Sequence, residues 1–174
     1  RPLNLSLAGQ MQLEIPPTKV IADNALSVPF QIRADGSDLI LETASYISEH
    51  GSWDFNGYYH LADRNGRLFV DLNTIPLELL SEVFGGWTYE GTLSGQLTAD
   101  FPTPELSQLD LNGSWSVRDF KAESFAAETV QGDIHMKSGL AQLRNILTQQ
   151  GRGRLEGQGQ INLNASRQAS FEFK

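Results

Sequence analysis

The residue types that carry bond-breaking chemistry are present in this chain, but never at a spacing that assembles them. Three histidines, His50, His60 and His135, stand singly. No Gly-x-Ser-x-Gly elbow occurs, so a nucleophilic triad has no sequence signature. No His-x-x-x-His or carboxylate-plus-histidine spacing suggests a metal. There is no cysteine, which excludes disulfides, thiol catalysis and Cys-ligated zinc. Glu14, Asp54, Asp71 and Asp100 fall at polar strand positions or strand ends and read as a solvated face with edge protection. A carboxylate pair for sugar hydrolysis leaves no linear trace. Gly85-Gly86 and the Gly151–Gly159 run lack the Lys-Ser/Thr of a phosphate cradle, and the second lies in a strand pattern. The expectation is a protein that is not an enzyme and uses no cofactor and no metal.

The aromatic residues offer a weaker chemistry. Trp53, Trp87, Trp115, Tyr58, Tyr59 and Tyr89 could form a sugar-stacking platform. Trp53, Tyr59 and Trp115 occupy apolar positions of their strands, which favours a core or groove lining over an exposed lectin face.

The elements that position these residues are announced by one phrase written six times: apolar, any, Gly, any, apolar, any, apolar. It reads Leu7–Gly9–Met11–Leu13, Phe55–Gly57–Tyr59–Leu61, Leu93–Gly95–Leu97–Ala99, Leu111–Gly113–Trp115–Val117, Val130–Gly132–Ile134–Met136 and, with glycine in the first slot, Gly157–Gly159–Ile161–Leu163. Residues two apart share a strand face, so each glycine sits in an apolar column. Either the sheet bends there or something other than a neighbouring side chain fills the space.

Strands are expected from residue 3 to 15, ended by Pro16-Pro17, then at 30–34, 38–44, 53–61, 67–72, 91–101, 109–117, 130–136, 153–163 and 169–173, with 140–147 read as strand rather than helix. Asp63-Arg64-Asn65-Gly66 reads as a hairpin turn through its Asn-Gly. Residues 75–84 break the period: Ile75, Leu79, Leu80, Val83 and Phe84 are helically spaced, Thr74 suits a cap, Pro76 a first turn and Gly85-Gly86 a stop. The phrases recur at irregular intervals, so a meander of antiparallel strands is expected rather than a solenoid. No linker divides the chain, and 1–174 is read as a single domain.

Thirteen basic against twenty-one acidic residues give a net charge of −8. An acidic surface argues against a nucleic-acid partner and against attraction to anionic headgroups. No apolar stretch is long enough to span a membrane as a helix, and no signal peptide is evident. The chain begins at Arg1, so it reads as a fragment of a longer protein, and any membrane contact is expected through parts outside it.

Two architectures fit the columns. In one they meet across a sandwich. In the other an antiparallel sheet curls into a trough with an apolar wall that glycines widen for hydrocarbon. The expectation is the second: an all-β, long curled antiparallel sheet forming an open groove, with one short amphipathic helix. The wall is expected to comprise Leu5, Leu7, Met11 and Leu13 from the first strand. Leu93, Leu97, Phe101, Leu111 and Trp115 supply its centre, and Ile134, Leu155, Ile161 and Leu163 its far side.

The segment from Thr74 to Leu163 carries a family resemblance. Ile75-Pro76-Leu77-Glu78-Leu79-Leu80, Gly91-Thr92-Leu93-Ser94-Gly95-Gln96-Leu97, Pro102-Thr103-Pro104-Glu105-Leu106, Leu111-Asn112-Gly113 and Gly151-Arg152-Gly153-Arg154-Leu155-Glu156-Gly157-Gln158-Gly159 follow one another as in TamB-type members of the AsmA-like superfamily of bacterial envelope proteins. The YdbH and YhdP proteins share that architecture. The resemblance covers about half the chain, and Leu106-Ser107-Gln108-Leu109 departs from it, where a glycine is more usual. It implies a periplasmic β-groove (a β-taco) in a parent anchored in the inner membrane, carrying phospholipid toward the outer membrane. It also implies an outer-membrane β-barrel partner and, as the alternative role, chaperone-like assistance to barrel assembly or secretion by strand addition.

Overall fold

The computed structural model describes residues 4–14, 25–48, 51–78, 89–103, 105, 108–123, 125–162 and 169–174. Among these residues the architecture is a single antiparallel sheet. Its strands are β1 (Asn4–Glu14), β2 (Ala25–Asp35), β3 (Asp38–Ser48), β4 (Gly51–His60), β5 (Asn65–Pro76), β6 (Tyr89–Phe101), β7 (Asp110–Ala122), β8 (Phe125–Lys137), β9 (Leu140–Gln150), β10 (Gly153–Asn162) and β11 (Ala169–Phe173). Spatial order equals sequence order, and β1 and β11 are the two free edges of an unclosed sheet. Most strands run 10 to 13 residues, about twice the usual length. The strands expected at 30–34, 38–44 and 140–147 are present and longer than their alternation advertised.

Directly opposed residues share a face, and the register threads two unbroken rows across all eleven strands. One is Leu7, Ile32, Leu41, Gly57, Leu68, Ala99, Leu111, Met136, Ala141, Ile161, Ala169. The other is Gly9, Phe30, Ala44, Phe55, Val70, Leu97, Gly113, Ile134, Leu143, Gly159, Phe171. The opposite face is polar, and cross-strand pairs help set its register: Arg67 Nε donates to Asp100 Oδ1 at 2.5 Å, and Lys121 Nζ lies 3.0 Å from Glu90 Oε2.

Two expectations are corrected. The helix expected over 75–84 does not begin at Ile75: Ile75 and Pro76 are the last residues of β5, opposite Leu93 and Thr92, Leu77 lies in a turn, Glu78 is helical, and 79–84 lie outside the described residues. Asn73 and Thr74 form a bulge against Ser94, with Thr74 at φ 55° and its amide donating to Ser94 Oγ. The extra residue returns Ile75 to the apolar face, where it is 2 % exposed. The hairpin after β4 also differs. Asn65 already pairs with His60, so the turn is Leu61–Arg64 and Arg64 takes the positive φ. Gly66 lies in the strand, where an added Cβ would stand 2.9 Å from the Tyr59 ring.

Candidate functional site: the apolar face

The site is a surface rather than a catalytic cluster. No grouping of three metal-ligating side chains exists among the described residues. His60 Nδ1 donates to Asp38 Oδ1 at 2.6 Å, and His135 Nδ1 lies against Asn112 Oδ1, so both rings serve cross-strand pairs on the polar face. Asp100 beside Arg67 holds that guanidinium above its ordinary pKa, and Glu42 with Asp35 does the same for Arg33. These cations are occupied by neighbours.

The registers place the expected wall residues on one face. Leu93, Leu97, Phe101, Leu111, Trp115, Ile134, Leu155 and Ile161 are half-buried there. Leu5 and Leu7 share the face on edge strand β1 and are 59 % and 58 % exposed. Met11 and Leu13 occupy register positions opposite Val28 and Leu26. Leu163 lies outside the described residues.

A hollow on this face has a volume of about 430 Å³ and is lined by Ile32, Leu39, Leu41, Gly57, Tyr59, Leu68 and Phe101 among others. Of these only Phe101 was among the named wall residues, while Tyr59 was expected as core or groove lining. Ile32 and Leu39–Leu41 belong to strands whose short alternation understated them, and Tyr59 and Leu68 flank the misplaced hairpin. The signal was present: Leu39 and Leu41 are two apart, as are Tyr59 and Gly57.

The glycines have a concrete answer. Several lie beside a large side chain of the neighbouring strand, whereas Gly57 faces the backbone of Arg67 and Leu68. A Cβ on Gly9 would come 2.9 Å from the Phe30 ring, on Gly157 2.5 Å from that of Phe173, and on Gly132 3.2 Å from the Trp115 indole. On Gly113 it would come 2.7 Å from a Leu97 methyl, and on Gly159 it would strike Phe171. Rings laid over cross-strand glycines are a recognised way to pin register in curved sheets. The expectation that the glycines leave room for hydrocarbon is therefore corrected at these positions, since neighbouring side chains take the room. Among the six, register shifts fall at Gly132 and between Gly157 and Gly159, and bulged strands bend at such points, whereas Gly9 and Gly113 lie in unbroken register. Trp115 lies on Gly132 by shape alone, because its buried indole Nε1 finds no acceptor.

The two edges differ from the centre. Leu5 and Leu7 on β1, with Phe171 and Phe173 on β11 at 48 % and 49 %, carry the most open large apolar side chains of this face. The β1 sequence Asn-Leu-Ser-Leu-Ala-Gly-Gln-Met-Gln-Leu-Glu contains no lysine and no proline, and its one charge is terminal. Within its own sequence it thus lacks the lysine, proline and inner charges that commonly keep an edge from pairing. Comparison with family models, with curated proteins and with solved structures finds no match to this chain.

Proposed function

We propose that this chain is a section of a periplasmic groove whose apolar wall carries phospholipid acyl chains between bacterial membranes. The observation that carries the reading is the pair of apolar rows running without a polar interruption across all eleven strands. Moving hydrocarbon needs a continuous nonpolar surface and no reacting group. Each methylene withdrawn from water contributes about 0.8 kcal/mol, so an acyl chain of about fifteen methylenes gains roughly 12 kcal/mol on such a wall. A sandwich would cover the face with a second layer, whereas every strand among the described residues belongs to one sheet. The accessible surface supports the same reading: 11,530 Å², against about 8,400 Å² for a compact monomer of this mass. A β-taco curl of the sheet is part of the proposal.

Native mass spectrometry of the purified chain tests it. Co-purifying phospholipid is expected, and Leu97→Asp, in the middle of the wall, should abolish it while the far-ultraviolet spectrum is retained. Lipid-free protein after exposure to phospholipid vesicles overturns the reading. A second reading is favoured by one observation, the unguarded β1 edge: a strand of an outer-membrane protein adds there by main-chain hydrogen bonds. Tight binding of a barrel-derived peptide by lipid-free protein would select it.

A further inference from the structure

We infer that the hollow on the polar face between β3, β4 and β5 binds an uncharged saccharide chain, a site separate from the apolar wall and independent of its cargo. Most of the polar face is serine, amide and carboxylate, with many of its charged groups paired. Besides single exposed residues such as Ile47 and Leu140, an aromatic island departs from this pattern. Tyr58 and Phe69 stand 38 % and 40 % exposed there, and Ile40 sits directly opposite Tyr58. Tyr58 and Phe69 are diagonal neighbours, since Asn56 opposes Phe69 and Tyr58 opposes Arg67. His60 extends the platform, its ring centroid 4.9 Å from that of Tyr58. Together with Asp38, Glu42 and Asn56 they line a hollow of about 450 Å³, within the size range of small-ligand sites.

The chemistry around the rings selects the ligand. A sugar ring presents C–H bonds on its faces and hydroxyls around its edge, so it needs an aromatic face flanked by hydrogen-bond partners. Asp38 uses Oδ1 for His60 and Ser37, and Glu42 uses Oε1 for Arg33. The second oxygen of each carboxylate has no partner among the described residues and can accept from a hydroxyl. The Asn56 amide is likewise uncommitted and both donates and accepts. The cations on the strands that form the hollow and flank it are engaged, Arg33 by Asp35 and Glu42, Arg67 by Asp100. A phosphate, sulfate or uronate would meet open carboxylates and no open cation on these strands, which favours an uncharged sugar. A protein partner fits less well, because the apolar island is three side chains bounded by the Arg33–Glu42 and Arg67–Asp100 pairs, not the broad apolar centre of a protein interface.

Amide chemical shifts of the whole 174-residue chain test this, with chitotetraose and cellotetraose as neutral probes and tetragalacturonate as the charged control. Saturable shifts are expected around residues 38–42, 56–60 and 67–69 for at least one neutral probe, and none for the control. Phe69→Leu keeps the apolar bulk but removes the ring face, and should weaken binding by about tenfold or more with an otherwise native spectrum. Asn56→Ala, which removes one neutral hydrogen bond, should weaken it by about threefold to tenfold. The inference is overturned if neither neutral probe gives saturable shifts at millimolar concentration, if the shifts survive Phe69→Leu unchanged, or if tetragalacturonate binds as well. Shifts at this island produced only by phospholipid vesicles or by a barrel-derived peptide overturn it too, without touching the groove reading.

Discussion

Replacing Gly113 by alanine separates two explanations of the glycine columns. If the glycines exist because neighbouring strands press side chains and backbone into their space, a methyl there is a collision. If they leave room for a ligand, a methyl is harmless to the free protein. The geometry favours collision: a Cβ on Gly113 would lie 2.7 Å from Leu97 Cδ2 and 2.9 Å from Leu97 Cα, and closer still to the Gln96 carbonyl oxygen. Two of those atoms are backbone, held by the β6–β7 ladder, and cannot turn aside as a side-chain tip can. Overpacking of this kind costs about 1–3 kcal/mol, while alanine recovers about 0.5–1 kcal/mol that glycine forfeits in a strand. The net loss expected is about 1–2 kcal/mol, or roughly 2–8 °C in melting temperature for a chain of this length. Gly153 is the internal control, because a Cβ there meets only the Gln150 oxygen at 3.2 Å. Gly153→Ala should be neutral or stabilising by about 0.5 kcal/mol. Urea unfolding followed by tryptophan fluorescence and far-ultraviolet circular dichroism reads both variants. A Gly113→Ala protein as stable as its parent would falsify the steric account and restore the idea of space held open for a ligand.

Two further outcomes follow from the same sheet. The β1 edge, free of lysine and proline, should make the purified chain self-associate as concentration rises, and Ser6→Lys with Gln10→Lys should hold it monomeric in sedimentation velocity. A parent that stays monomeric throughout would show that the edge does not pair. Small-angle scattering of the monomeric variant should give a radius of gyration clearly above the roughly 16 Å of a compact chain of this length; a value at 16 Å counts against an open sheet.

The alternation of apolar and polar residues was sufficient to find most strands and to sort the wall residues onto one face, because a period of two is a local property. What escaped was non-local. The bulge at Asn73–Thr74 exists only against Ser94, and without it Ile75 would face the polar side, so Ile75 and Pro76 read as the start of a helix rather than as the end of a strand. Asn65-Gly66 looked like a turn because its strand role depends on Tyr59 lying across Gly66. The hollow formed by Ile32, Leu39, Leu41, Tyr59 and Leu68 needs the pairing of four strands before it can be seen.

Register poses the deeper problem. A slip of one residue turns the apolar side chains to water and is forbidden by the pattern itself. A slip of two leaves every face correct, so alternation cannot exclude it. Contacts between strands can. Sliding β7 by two against β6 would set Trp115 opposite Leu97 or Gly113 opposite Gly95, stacking bulk on bulk or hole on hole, where the observed register sets Gly95 against Trp115 and Leu97 against Gly113. On the other face, Arg67, Asp100, Asp110 and Lys137 oppose one another in sequence across β5 to β8. Each of the two adjacent aspartates in that row keeps a cation on its far side, and a slip of β5 would leave Asp100 beside Asp110 without Arg67 opposite. The glycines thus act as selectors among registers that the hydrophobic pattern leaves equivalent: Gly9 stands opposite Phe30, Gly159 opposite Phe171, Gly95 and Gly132 opposite Trp115, and Gly113 opposite Leu97.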